Sequence, residues 1–288
     1  MELAVHDPAG RPLGSPAPRG LITPAEVAAQ PHLVLVEVDE DPAAYHFSHP
    51  AGALFVDWQE RVRALLSAAP AGTHAFEGLM SSLGITPEDD VVLYGDADNR
   101  YAASLLWMMR HHGHERLRLM DGGRPRWVAE GRPMVEDETV RTSTRYRAGA
   151  PDHSVRATRD DLASYVGGTA GTLVDCRAYT EYTGRATPAG MRVDPGTVRG
   201  HMPGAVNLPL TRLVAPDGGL LAPKELVSRA AEYGLHPRLD LIAYCHRSER
   251  SSLTWFALHE VLGYPHMRVY DGGWQEYGNL VGAAVARS

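Results

Sequence analysis

One cysteine stands in a setting that could make its thiol reactive. The residues around Cys245 are Tyr244, His246, Arg247, Ser248, Glu249, Arg250 and Ser251. A free thiol has a pKa of about 8.5, and nearby cations or a helix N-terminus lower it. Arg247 and Arg250, with His246 as a further source of positive charge, therefore predict that Cys245 is a thiolate, which is a nucleophile able to carry a transferred group.

The elements on either side of Cys245 predict where its thiol lies. Leu239 to Tyr244 is an apolar run typical of a buried strand, and Ser251 to Leu262 has the apolar spacing of a helix. In open α/β sheets, ligands bind beyond the carboxyl ends of the strands. We therefore expect the loop 245–250 to surround an anion with backbone N–H groups at the start of a helix.

An internal repeat at an offset of 150 residues divides the chain. The residues Gly84, Pro87, Asp90, Tyr94, Arg100, Gly113, Asp121, Gly122 and Gly123 recur as Gly234, Pro237, Asp240, Tyr244, Arg250, Gly263, Asp271, Gly272 and Gly273. A repeat of this length indicates a duplicated domain rather than a solenoid. The repeat places Gly95 opposite Cys245, so the first copy lacks the thiol.

The repeated pattern also predicts the fold class. In the second copy, strands are expected at Thr172 to Val174 and Met267 to Tyr270, with a helix at Lys224 to Tyr233. Alternating strands and helices predict two α/β domains, each a mainly parallel sheet flanked by helices. The predicted divisions are a flexible N-terminal arm at 1–19, an inactive domain at 20–130, a linker at 131–154 and a catalytic domain at 155–288.

Composition excludes several classes of function. The formal net charge of -7 argues against nucleic-acid binding, which needs a basic face. The sequence has neither an apolar run long enough for a membrane span nor a secretory signal, so we expect a cytoplasmic protein. Cys176 and Cys245 are too few for a disulfide framework and form no metal-binding CxxC pair. Because a cysteine can itself carry the transferred group, neither a metal nor an organic cofactor is expected. Cys176 is interpreted as a core residue.

Together these features resemble a known family. The segment Cys245 to Ser251, the two Asp-Gly-Gly turns, the stretches His49 to Ala53 and His201 to Ala205, and the duplication are similar to tandem-domain rhodaneses. The resemblance runs from about Leu21 to the C-terminus and is to thiosulfate sulfurtransferases of the actinobacterial type. It implies a catalytic second domain, a degenerate first one, and transfer of sulfur from thiosulfate to cyanide or a thiol through a Cys245 persulfide.

The resemblance, with the charges of the loop, also implies which residues bind the donor. Arg247 and Arg250 would position the anionic thiosulfate, with His246, Ser248 and Glu249 as further contacts. Many family loops carry glycine where Ser248 stands. If this position needs a positive φ, the serine is strained and the donor preference could differ.

Asp175 has two interpretations. It aligns with an aspartate that lines the rhodanese active site, where it would help to order the loop. It could instead be the N-cap of a helix over Arg177 to Tyr182.

Other functions remain open at this point. A cysteine-dependent phosphatase would share the thiolate and the arginine, but only four residues separate Cys245 from Arg250, one fewer than in phosphate-binding loops. The donor 3-mercaptopyruvate is associated with loops resembling Cys-Gly-Ser-Gly-Val-Thr, which are small and uncharged, whereas two arginines favour thiosulfate. A non-enzymatic persulfide carrier is the remaining alternative.

Overall fold

The computed structural model describes residues 20–67, 72–168, 170–187 and 198–287. The described residues divide into two compact units, one drawn from Met1–Asp152 with Val214–Ala222 and the other from His153–Leu213 with Pro223–Ser288. The N-terminal arm predicted at 1–19 lies outside the described residues.

Each unit is built on one five-stranded sheet. The first contains β1 (Leu21–Ile22), β2 (Val34–Asp39), β3 (Leu54–Asp57), β4 (Val91–Tyr94) and β5 (Leu117–Met120), in the order β1-β5-β4-β2-β3. The second contains β6 (Arg156–Ala157), β7 (Thr172–Asp175), β8 (Val206–Asn207), β9 (Leu241–Tyr244) and β10 (Met267–Tyr270), in the order β6-β10-β9-β7-β8. The strands pair in parallel, and the two orders correspond strand for strand. This correspondence confirms the α/β fold and its duplication.

Helices connect the strands in both units. The first has α1 (Pro24–Ala28), α2 (Ala43–Phe47), α3 (Arg63–Ser67), α4 (Gly72–Ser82), α5 (Arg100–His111) and α6 (Gly123–Ala129). The second has α7 (Arg159–Leu162), α8 (Tyr179–Tyr182), α9 (Pro223–Glu232), α10 (Glu249–Trp255) and α11 (Gly273–Tyr277). Short 3₁₀ turns occupy Ala97–Asn99 and Leu210–Arg212, and π turns occupy Trp58–Val62 and Phe256–Val261. Within the described part of the chain, no helix has the length and apolar character to cross a membrane.

The strand before Cys245 is shorter than the sequence predicts. All four side chains of β9 are buried, as expected for a parallel strand covered on both faces. The prediction began at Leu239, but the Leu239 N–H donates to the His236 carbonyl at 3.0 Å. Leu239 therefore closes a turn, and β9 begins at Leu241.

The helix after Cys245 begins earlier than predicted and changes its winding. It starts at Glu249 rather than Ser251, because the Ser252 N–H donates to the Ser248 carbonyl at 2.9 Å. Farther along, the Leu262 N–H bonds to Ala257, five residues back, at 3.2 Å, which is the π pattern. Burial of side chains such as Trp255 holds this helix against the sheet, at about 1.5–3 kcal/mol for each large apolar side chain.

The repeated Asp-Gly-Gly turns need glycine at their third position. Gly123 and Gly273 have φ values of 53° and 58°. A Cβ on Gly273 would lie 2.6 Å from the His246 carbonyl oxygen, and one on Gly123 would collide with the Gly95 carbonyl. Both turns therefore bring the backbone against the loop that follows the central strand.

The predicted linker packs along the first unit for most of its length. His49 and Val135 form an antiparallel bridge, and the Thr144 N–H donates to the Ser81 carbonyl at 3.0 Å. The segment predicted to be an inter-domain linker is therefore grouped with the first unit as far as Asp152.

A short segment from the second half of the sequence belongs to the first unit. Within Val214–Ala222, the Asp217 carboxylate bonds to Arg126 Nη2 at 2.6 Å. Arg126 Nη1 bonds to the buried Asp121 at 2.7 Å. Two carboxylates thus share one buried guanidinium, and this pairing fastens the segment. The sequence analysis placed all of 155–288 in one continuous domain. It did not predict that residues 214–222 group with the first unit, because an ion pair between distant residues leaves no local sequence pattern.

Replacing Asp217 by alanine should loosen the segment that it anchors. Asp217→Ala removes a hydrogen bond to a buried charged group, which contributes about 1.5–3 kcal/mol. Amide hydrogen exchange should therefore be faster in residues 214–222 of this variant. Asp240→Ala is the control, because Asp240 is exposed and its ion pair with Arg268 is long, at 3.8 Å. Equal exchange in both variants would contradict the anchoring role.

Candidate active site

Cys245 is the first residue after β9, the central strand of the second sheet. The Trp274 N–H, from the start of α11, donates to the Cys245 carbonyl at 2.8 Å. The Cys245 side chain is completely buried. The predicted position at the carboxyl end of a strand is confirmed, and the thiol lies inside the protein rather than on its surface.

Ser248 has the backbone conformation that the sequence analysis identified as a source of strain. Its φ and ψ are 75° and -15°, in the left-handed region. Asp98, at the same position of the first copy, has a φ of 60°. Non-glycine residues in this region cost about 1–3 kcal/mol. The loop shape therefore recurs in both units, and in the second a serine bears the strain.

A chain of buried charges touches the Cys245 thiol. The thiol lies 3.5 Å from Glu249 Oε2 and donates toward it. Glu249 Oε1 accepts from Arg250 Nε at 3.2 Å, and Arg250 Nη1 donates to Glu181 Oε2 at 2.6 Å. Glu249 is 1% exposed and Glu181 is 7% exposed. A continuous series of contacts thus runs from the Cys245 thiol through Glu249 and Arg250 to the Glu181 carboxylate.

These charged contacts, together with burial, favour the neutral thiol of Cys245 over the thiolate that was predicted. Burial raises the pKa of Cys245 to about 11, and the Glu249 carboxylate adds to the rise. Arg250 and hydrogen bonds from Ser251 lower the pKa, but by less. Burial and the adjacent carboxylate, which counting nearby arginines overlooked, therefore oppose the thiolate expected from the sequence. At neutral pH, Cys245 is a thiol.

The other cations of the loop differ in what they can contribute. Burial lowers the pKa of His246 to about 4, so at neutral pH it has no positive charge, contrary to the sequence analysis. Arg250 faces two carboxylates, Glu249 and Glu181, which offset its charge. Arg247 is half-buried in the same loop.

Asp175 makes a different contact from either of its interpretations. Helix α8 begins at Tyr179 with Ala178 as N-cap, so the N-cap interpretation is wrong. The Asp175 carboxylate instead binds Arg177, with Nη2 to Oδ2 at 2.6 Å and Nε to Oδ1 at 2.9 Å. The Arg177 guanidinium also lies 4.4 Å from the Trp274 ring centroid. Asp175 thus holds the end of β7 in place through a buried ion pair.

Cys176 lies beside the loop. Asp175 pairs with Tyr244 in the parallel register, and the Cys176 N–H donates to the Tyr244 carbonyl at 2.9 Å. Cys176 therefore follows β7 where Cys245 follows β9. Burial raises its pKa well above the usual range, which agrees with its interpretation as a core residue.

Some site residues were not found from the sequence. Glu181, 69 residues before Arg250, gives no local signal of its ion pair. Ser251 was noted only as part of the motif, yet its hydroxyl lies 3.7 Å from Cys245 Sγ. Among the described residues, no group of three or more histidine, cysteine and acidic side chains is arranged to hold a metal ion.

The corresponding loop of the first unit has no room for a nucleophile. Gly95 stands where Cys245 does, and a Cβ there would collide with the Val38 carbonyl. Asn99 replaces Glu249, and its Oδ1 accepts from the Gly95 N–H at 2.9 Å. A neutral amide bound to backbone thus takes the place of the carboxylate bound to a thiol.

Comparison with known proteins gives one family for both units. The model of the family described as "Rhodanese-like domain" matches residues 23–130 and 158–280. The chain is 40% identical over 256 residues to a Mycobacterium tuberculosis protein named "Putative thiosulfate sulfurtransferase", covering 88% of this chain and 92% of that one. It is 40% identical over 261 residues to the "Sulfur carrier protein TtuD" of Thermus thermophilus, covering 89% and 92%.

A solved structure has the same fold. It is a variant of EanB with a persulfide on a cysteine and with ergothioneine in a tetrahedral intermediate state. The TM-score is 0.81 at 21% identity, over 93% of this chain and 70% of that one.

Replacing Ser248 by glycine should stabilise the second unit. Ser248→Gly removes the left-handed strain and a buried hydroxyl that has no hydrogen-bond partner among the described residues. We expect the free energy of unfolding, measured with urea, to rise by about 1 kcal/mol.

Asp98→Gly, at the matching position of the first unit, is the control. Aspartate tolerates this backbone region better than serine, so its gain should be smaller. A loss of stability in Ser248→Gly would mean that the serine makes a contact worth more than the strain.

Proposed function

This chain belongs to the rhodanese family, and on that premise we propose that it is a thiosulfate sulfurtransferase. Cys245 takes the outer sulfur of thiosulfate as a persulfide and passes it to cyanide or a thiol. The observation that carries the proposal is the position of Cys245, buried at the end of the central strand and in contact with a proton acceptor, Glu249. The mycobacterial relative's name supports the reaction, and the persulfide in the EanB structure supports the intermediate.

The proposed reaction has two halves. Cys245 loses its thiol proton as Sγ attacks the outer sulfur of thiosulfate, the sulfur–sulfur bond of the donor breaks, and sulfite leaves with the bonding electron pair. An acceptor then attacks the outer sulfur of the persulfide and releases Cys245. The Ser251 hydroxyl and N–H, which already bond to Cys245, stabilise the sulfur during both halves.

Polar atoms around the loop suit an oxygen-rich donor. Ser248 Oγ, Ser252 Oγ and His246 Nδ1 are buried and have no hydrogen-bond partner among the described residues. Arg247, a cation of the same loop, would attract the sulfonate. The charge of Arg250 is offset by Glu249 and Glu181. The contribution of Arg250 is to position Glu249, which revises the role given to it from the sequence.

The same observations bear on the alternatives. The arginine that a phosphate-binding loop uses to hold phosphate is occupied here by two carboxylates. These contacts disfavour the phosphatase. The donor 3-mercaptopyruvate carries a single carboxylate, so it needs less positive charge at the site than thiosulfate does. It remains the alternative donor.

A sulfur carrier is the second candidate, favoured by the 40% identity to the Thermus thermophilus protein of that name. It requires the same Cys245 persulfide but passes the sulfur to a protein thiol. Comparing cyanide with a protein thiol as acceptor, from the same loaded protein, distinguishes the two.

Loading of sulfur should depend on Cys245 alone. We expect the protein incubated with thiosulfate to gain the mass of one sulfur atom on Cys245, as measured by mass spectrometry of the intact chain and its peptides. Cys245→Ser should abolish the gain and the formation of thiocyanate. Cys176→Ser is the matched control, since Cys176 is equally buried, and it should still be loaded. Sulfur bound to Cys245→Ser, or none on the natural protein, would refute the proposal.

The two arginines should respond differently to substitution. Arg247→Ala should raise the KM for thiosulfate about tenfold or more, since a charge-assisted contact contributes about 1.5–3 kcal/mol. Arg250→Ala leaves Glu249 and Glu181 buried without their counter-charge, so it should lower the free energy of unfolding by about 3–5 kcal/mol.

Steady-state kinetics and urea unfolding of both variants check this difference. An Arg250→Ala variant with normal stability and a raised KM would return that arginine to the donor site.

A further inference from the structure

Glu249 is an unexpected neighbour for a thiol that meets an anionic donor. Its Oε2 lies 3.5 Å from Cys245 Sγ, and its side chain is 1% exposed. A carboxylate in this position repels thiosulfate and raises the energy of a thiolate beside it. A role in binding the donor therefore does not account for Glu249, whereas a role in moving the thiol proton would.

The orientation of Glu249 is fixed by its other partners. Oε1 accepts from Arg250 Nε at 3.2 Å, which leaves Oε2 directed at the sulfur. Arg250 is held in turn by Glu181 of α8, at 2.6 Å and 3.3 Å. Arg250 and Glu181 are therefore positioning residues, while Glu249 touches the reacting atom.

Loading the cysteine requires a proton to leave it. Because Cys245 rests as a thiol, its S–H bond must break when Sγ bonds to the incoming sulfur, and the product is a persulfide anion. If the proton left the site, the persulfide anion and the Glu249 carboxylate would be adjacent and buried. Two like charges at such a distance in a desolvated site are strongly unfavourable.

We propose that Glu249 takes the proton of Cys245 as sulfur arrives and keeps it for as long as the cysteine carries the persulfide. This assignment rests on the proposed function and extends it. As the Sγ–H bond breaks, an O–H bond forms on Oε2, the new sulfur–sulfur bond forms, and the donor's sulfur–sulfur bond breaks onto sulfite. When cyanide removes the outer sulfur as thiocyanate, the thiolate that remains takes the proton back from Glu249.

The groups that face Cys245 agree with this assignment. From α10 it meets Glu249, Arg250 and the hydroxyl of Ser251, and from the end of β7 it meets Cys176, a neutral thiol. The pKa of Cys245 is about 11, raised first by burial and then by Glu249. At neutral pH few molecules hold a thiolate in advance, so an adjacent acceptor determines the rate.

Glu249→Gln separates this role from a purely electrostatic one. The amide keeps the shape of the side chain, and its oxygen can still accept from Arg250, but it cannot take a proton. We expect sulfur loading at pH 7, followed by mass spectrometry over time, to be at least tenfold slower, since general base catalysis contributes roughly 10²–10⁴-fold.

The electrostatic role predicts the opposite result. If Glu249 merely repelled negative charge, its loss would lower the pKa of Cys245 and speed loading. The pH dependence of alkylation by iodoacetamide reports that pKa independently, and its midpoint should move to lower pH in Glu249→Gln. Loading at or above the natural rate would overturn the proposal.

Glu260→Gln is the matched control. Glu260 is a buried glutamate in the π turn that follows α10, and its Oε1 lies 3.2 Å from His259 Nδ1. This variant should load sulfur at the natural rate. If Glu260→Gln slowed loading as much as Glu249→Gln does, removing any buried charge would be enough to disturb the helix. That result would overturn the assignment.

A second donor separates failure of this inference from failure of the proposed function. Inorganic polysulfide also delivers sulfur to a thiol and also requires the proton to leave. If thiosulfate does not load the natural protein but polysulfide does, and Glu249→Gln slows that loading tenfold, then the donor is wrong and the role of Glu249 stands. If thiosulfate loads both proteins equally fast, the donor stands and the role of Glu249 falls.

Discussion

The loop at the end of β9 depends on one constraint, which is that buried charges must be paired. Glu249 and Glu181 can be buried because Arg250 lies between them, and the Arg250 side chain can be only 14% exposed because two carboxylates receive its N–H groups. An isolated charge in such a place costs several kcal/mol. The pairing fixes the start of α10, the direction of the Glu249 carboxylate and, through it, the protonation of Cys245. Sulfur chemistry at this site begins from a thiol as a consequence.

The first unit carries the same loop shape without this constraint. Asp98 and Ser248 both adopt the left-handed conformation, and the Asp-Gly-Gly turn of each unit abuts the loop. Yet Gly95 has no side chain, and the neutral Asn99 satisfies its N–H. The backbone geometry is therefore separable from the chemistry. The loop of the first unit contains no thiol and has a neutral amide in place of the carboxylate. In the second unit, the loop that contains the thiol also depends on the ion pairs from Glu249 through Arg250 to Glu181 in α8.

The sequence was sufficient for the parts of this picture that depend on local pattern. Apolar runs and the repeat predicted the order of strands and helices, the position of Cys245 after a strand and the missing thiol at Gly95. The glycine common at position 248 in related loops predicted the unusual backbone of Ser248. The charge of the site was not predictable in this way, because Glu181 comes from 69 residues away and burial is a property of the fold. Two arginines beside a cysteine suggested a thiolate, and the folded chain reverses that expectation.

Charge balance also connects the fold to the choice of donor. In the proposed reaction, thiosulfate enters with two negative charges and sulfite leaves with two, so the sulfur atom that stays behind brings no net charge. With the proton on Glu249, a thiol and a carboxylate become a persulfide anion and a carboxylic acid, and the loop has the same total charge in both states. A buried site with fixed counter-charges, here Arg250 between two carboxylates, is suited to such a reaction. Folding positions these charges in advance, and neither half of the cycle requires a further ion to enter the site.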